Sequence, residues 1–283
     1  MENSISSNPL NKKIDILFGI IVTILPVIYT DVFGLLPIIS GLSIVYLVSG
    51  YKEQEINSYN LQVKYILMLM ISIIAVYFLY YMITTGKWSL GIIILHQIIV
   101  LPTYAMLPVY LIPFVWMYYQ GGDCLKNSFQ LNKETSKITF LILIVFFYLN
   151  LARMPIYLHE RDTVSDTLAI HMVVQAFFVA AVAEELFFRG YIYGIVKKMF
   201  SIKSAQHISA LIFTFSHINL LMKAMHYGFS FQILCNYISI YVLGFACAFI
   251  YEQTKSLVPC IIFHTCIDGA IKYIFILVIN QVI

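Results

Sequence analysis

Apolar residues run in long blocks broken by short polar stretches, with neither the alternation of an amphipathic strand nor the stripe of a surface helix. Nine blocks stand out, at 14–30, 33–50, 64–85, 88–119, 138–152, 168–195, 206–221, 229–251 and 257–280. About 20 predominantly apolar residues span a bilayer as a helix, so most blocks predict one spanning helix each. The fourth is too long for one simple span and holds Pro102, Pro108 and Pro113, which predict a kink or a division in two. The fifth is short. The pattern therefore predicts an all-α, polytopic membrane helix bundle of about eight to nine transmembrane helices.

Composition agrees. Of 283 residues, 61% are hydrophobic and only 11% charged, and the mean hydropathy is +0.87. A soluble domain is about one quarter charged. These values exclude a soluble enzyme, a disordered chain and a nucleic-acid binder. The bilayer is the expected surrounding, with the protein multi-pass in the cell membrane. The five cysteines show no Cys-x-x-Cys and no secreted disulfide pattern, and are read as small buried hydrophobes. The first thirteen residues, MENSISSNPLNKK, are polar, so the first apolar block reads as a retained anchor and not as a cleaved signal.

Loop charge orients the helices. With the N-terminus cytosolic, inner loops hold Lys12, Lys13, Lys52, Lys64, Lys126, Lys133, Lys137, Lys197, Lys198, Lys203 and Lys255. Outer loops hold only Lys87, Arg153, Arg161 and Lys223. The polar stretch 153–167 then divides the chain. Residues 1–160 are N-terminal transmembrane helices of unknown role, and residues 165–275 carry charges inside apolar sequence.

An ionised group at the bilayer centre costs about 2.5–3.5 kcal/mol on insertion scales, which makes such residues functional candidates. Glu184, Glu185 and Arg189 lie within the block from 168. Glu185 and Arg189 are four apart and share a helix face, as an ion pair would. Glu184 lies about 100° around the helix and is free to point elsewhere. His217 lies in the next block, one turn after Phe213. The last block holds His264 and Asp268, four apart, with Lys272 one turn further as a competitor for Asp268. Counted from the inner helix ends at about 1.5 Å per residue, Glu184, His217 and Asp268 lie ~16 Å deep and His264 ~10 Å. Three helices thus bring polar groups to one level, which predicts one shared site.

Two Glu, two His, an Asp and an Arg at one level suit hydrolysis. A Glu beside a His deprotonates a water for attack on a carbonyl. Alternatively Glu184, His217 and His264 form a Zn²⁺ ligand set with an open position. The expectation is no cofactor, with zinc as the other reading. A transporter using the buried charges for ions or protons, or a non-enzymatic membrane immunity protein, is the rival of another class. His-Glu-x-x-His, Gly-x-Ser-Gly and Gly-x-Gly-Asp sites are missing from the sequence.

These residues resemble the CPBP family of CAAX proteases and bacteriocin-processing (Abi-type) enzymes. Glu184, Glu185 and Arg189 match its Glu-Glu-x-x-x-Arg motif, Phe213 and His217 its Phe-x-x-x-His, and His264 and Asp268 its His-x-x-x-Asn/Asp. The resemblance covers about residues 165–275. It implies an intramembrane endopeptidase, glutamate-type or metallo-, open to the cytosol. Its substrate would be a peptide or membrane protein: a prenylated CAAX protein, or a bacterial peptide precursor linked to bacteriocin self-immunity. It also implies that Glu184 and His217 hold the attacking water. Glu185, anchored by Arg189, would support the site, and His264 and Asp268 would complete it. Asp268 is expected to orient His264, since an ionised Asp has no proton to donate to an oxyanion.

Overall fold

The computed structural model describes residue 115, residues 127–217, residue 220, residues 224–225 and residues 228–282. All of the first four apolar blocks except Val115, and with them the predicted N-terminal anchor, lie outside these residues. Among the described residues there are helices and turns and no strand.

Helix α1 spans Lys133–Ala152, and Asn132 caps it by accepting from Thr135 N at 2.8 Å. That cap lies six residues before the predicted start at 138, so the short fifth block gains the length of a span. A short helix α2, Met154–Glu160, follows. The long α3, Asp166–Val196, opens on Ser165, whose hydroxyl accepts from Leu168 N. Two stretches of α3, Gln175–Val182 and Leu186–Tyr193, are wound as π-helix on either side of Ala183–Glu185. Such winding is rare and concentrates at functional sites. Ser201 caps α4, Ile202–Ser216, and Ser230 caps α5, Phe231–Thr254.

The chain leaves α5 through Lys255, in the left-handed region at φ 53°, and enters α6, Val258–Ile267, with a proline in its first turn. Proline suits that position because its missing N–H has no helical partner there. Gly269, at φ +89°, breaks the helix, and α7, Ala270–Val282, continues at a 65° bend. Among the described residues three helices, α1, α3 and α5, are long and apolar enough to cross a membrane, or four spans if α6 and α7 form one broken span. Residues 206–216 of the predicted block 206–221 lie in the 15-residue α4, which is too short for that test.

One core joins these helices. Ile138, Ile142 and Phe146 of α1 belong to the same buried cluster as Phe187, Phe213, Cys247 and Phe263. Phe146 meets Phe263 edge-on at 5.7 Å. The core therefore crosses the polar stretch at 153–167. Small residues on α5, namely Gly244, Ala246, Cys247 and Ala248, are buried and allow close approach of neighbouring helices. A polar knot ties the ends of α3 and α5 together. Glu252 accepts from Tyr193 Oη at 2.8 Å and from Lys197 Nζ at 2.9 Å, and it pairs with Lys255. The end of α3, the start of α4, the end of α5 and the start of α6 thus lie at one end of the bundle.

Candidate active site

Arg189 and Glu185 are both fully buried one helical turn apart, with Nη1 3.1 Å from Oε1. The expected ion pair forms. Arg189 Nη2 also donates to the Gly244 carbonyl at 3.1 Å, across to α5. The face of Phe213 lies 4.7 Å from the guanidinium carbon, a cation–π contact. A buried arginine needs such partners, because an ion taken out of water costs several kcal/mol.

His264, on α6, is the hub. Its Nδ1 lies 2.8 Å from Glu185 Oε1. The Glu185 carboxylate, paired with Arg189, is the acceptor, so Nδ1 carries the proton. The other nitrogen, Nε2, faces Asp268 Oδ2 at 3.5 Å and Glu184 Oε2 at 3.8 Å. Both distances exceed a good hydrogen bond. The carboxylate that orients His264 is therefore Glu185, and Asp268 stands at the opposite edge of the ring. Adjacent glutamates divide between the two nitrogens of one imidazole, Glu185 behind it and Glu184 in front.

Exposure separates these roles. His264 is 3% exposed and Glu185 0%, whereas Glu184 and Asp268 are 22% and 29% exposed. The pair in front of the ring lines the open side of the site. Lys272 does not neutralise Asp268; it binds Glu160 at 2.6 Å, which ties α7 to the end of α2.

His217 ends α4. Its Nδ1 bonds to the Phe213 carbonyl at 2.9 Å, so that nitrogen carries its proton and Nε2 is left as an acceptor. The Phe213 ring packs edge-on to both imidazoles, with centroids 4.9 Å from His217 and 5.9 Å from His264. His217 thus joins the site through Phe213 and makes no hydrogen bond or ion pair with Glu184. The six residues picked out by their charge come together around one imidazole and one phenyl ring.

Among the described residues no three His, Cys, Asp or Glu side chains form a group able to hold a metal ion. His264 gives Nδ1 to Glu185 and His217 gives Nδ1 to a carbonyl, which leaves the Nε2 of each ring outside those bonds.

Sequence reasoning missed two participants. Gly244 supplies Arg189 with its second acceptor. The thiol of Cys247, one turn later on α5, faces Glu185. The only signal for either was the run of small residues on α5.

Residues 166–270 match the family model described as Type II CAAX prenyl endopeptidase Rce1-like. The matched segment holds Glu184, Glu185, Arg189, His217, His264 and Asp268, and it bears out the resemblance to the CPBP proteases read from these motifs. No curated protein and no solved structure matches the chain.

Proposed function

We propose that the protein is a CAAX-type intramembrane endopeptidase that hydrolyses a peptide bond with a water activated by Glu184 and the two histidines. The observation that carries this reading is the division of labour around His264. A buried, charge-paired Glu185 fixes one nitrogen, and a partly exposed Glu184 stands before the other. The family match over residues 166–270 supports the reaction class.

Glu184 takes the proton of the attacking water, and the new oxygen–carbon bond forms at the scissile carbonyl. His217 Nε2, an acceptor because its Nδ1 is bound to a carbonyl, aligns that water. His264, held by Glu185, presents Nε2 to the reacting centre beside Asp268. Collapse of the tetrahedral intermediate breaks the carbon–nitrogen bond. The proton held by Glu184 passes to the leaving amine, so the products are a new carboxylate and a new amino terminus. General acid–base catalysis of this kind is worth about 10²–10⁴-fold. The substrate is a peptide or membrane protein with a prenylated C-terminal segment, cut near the cytosolic face, a side that the excess of inner-loop lysines supports.

The test offers prenylated and unprenylated peptides to detergent-purified wild type and Glu184→Gln, with and without a chelator, and reads products by mass spectrometry. Cleavage by wild type alone, unaffected by chelator, is the expected result. Equal cleavage by both proteins would remove Glu184 from the mechanism. Loss under chelator restored by Zn²⁺ would assign the chemistry to a metal.

A further inference from the structure

Arg189 is held from two helices. Glu185 is its partner one turn earlier on α3, and the Gly244 carbonyl is its partner on α5. A helical carbonyl has two lone pairs, so Gly244 can accept from Arg189 while keeping its place in the helix. The space at Gly244 matters as much as the carbonyl. A Cβ there would stand 3.0 Å from Phe213 Cδ1 and 3.2 Å from the Ala210 Cα. The second contact is with the main chain of α4, so no change of rotamer relieves it. One added methyl must shift α4 away from α5, and the Phe213 ring moves with it. That ring is the face on which Arg189 lies, and the Phe213 carbonyl is the acceptor for His217.

We propose that Gly244 is a positioning residue of the site. Its carbonyl and its missing side chain fix Arg189, which fixes Glu185, which keeps the Nδ1 proton of His264 in place. The consequence for catalysis rests on the protease reading above; the consequence for the His264 proton does not.

The full chain is used throughout. Gly244→Ala is expected to lower kcat on the order of 10²-fold with KM within about threefold, the scale of a small misplacement of a catalytic group. The Nδ1–H signal of His264 should be a single one, bonded to Glu185, in the wild type and a mixture of bonded and unbonded forms in the variant. Unchanged kcat together with an unchanged Nδ1–H signal would overturn the proposal.

A second variant adds no bulk. Replacing Phe245 by phenyllactic acid converts the link after Gly244 to an ester and weakens the Gly244 carbonyl as an acceptor. The same replacement at Phe249 weakens the Ala248 carbonyl and serves as the control for a lost helix hydrogen bond. A kcat loss of roughly tenfold for the ester at 245 and little for that at 249 is expected, about half the worth of a hydrogen bond to a charged group. Equal losses at both positions would overturn the proposal, whether or not Gly244→Ala folds. If no peptide is cleaved by wild type, the protease reading fails, and the His264 Nδ1–H signal still decides the role of Gly244.

Discussion

Replacing Arg189 by Met leaves the Glu185 carboxylate at 0% exposure without its counter-charge. Its remaining strong partner is His264 Nδ1 at 2.8 Å. Removing one member of a buried pair costs about 3–5 kcal/mol, mostly the penalty of the charge left behind. Glu185→Gln strands Arg189 in the same way, because the Gly244 carbonyl and the Phe213 face carry no net charge. The double variant removes both charges, so it should cost less than the sum of the single variants by up to about 3 kcal/mol, the upper range for residues in contact. Denaturant titration of the four proteins in mixed micelles, followed by circular dichroism, measures this coupling. A double variant whose cost equals the sum to within about 0.5 kcal/mol would refute the argument that the two charges stabilise each other in the core.

Other predictions follow from single features. Gly269 bends the last span from the left-handed region, so Gly269→Ala should cost about 1–2 kcal/mol although nothing crowds the position; thermal unfolding that matches wild type would show that the bend needs no glycine. Asp268→Ala should lower kcat on the order of 10²-fold with the fold intact, because Asp268 faces Nε2 from the open side. Lys272→Met should leave kcat within about threefold, a margin small beside the factors expected of a catalytic group, because Lys272 is engaged by Glu160; a large loss would mean that Lys272 acts on Asp268 after all.

The sequence made the site legible because the bilayer makes buried charge expensive. Glu184, Glu185, Arg189, His217, His264 and Asp268 stood out for that reason alone, and their shared level followed from helical rise. Three things were not legible. Spacing placed Glu184 off the face of Glu185, but an imidazole has two nitrogens on opposite edges, and both glutamates reach one ring. Asp268 lay one turn from His264 and looked like its orienting partner, yet Glu185, 79 residues away in sequence, takes Nδ1. Gly244 carries no chemistry in its side chain, and its part depends on which carbonyl a distant arginine meets. Of the fold, the blocks at 138–152, 168–195, 229–251 and 257–280 reappear as helices with shifted ends. The shifts come from Asn132 and Ser165, whose side chains start α1 and α3 before the apolar residues begin, and from Gly269, which bends the last block.

The most direct test of the central claim is a single turnover in H₂¹⁸O, with enzyme in excess over a prenylated peptide and the fragments weighed by mass spectrometry. The account predicts ¹⁸O in the new carboxyl terminus during the first turnover of wild type, and no product from Glu184→Gln. Product from Glu184→Gln at the wild-type rate, or a first-turnover carboxyl that carries only ¹⁶O from an enzyme carboxylate, would contradict it.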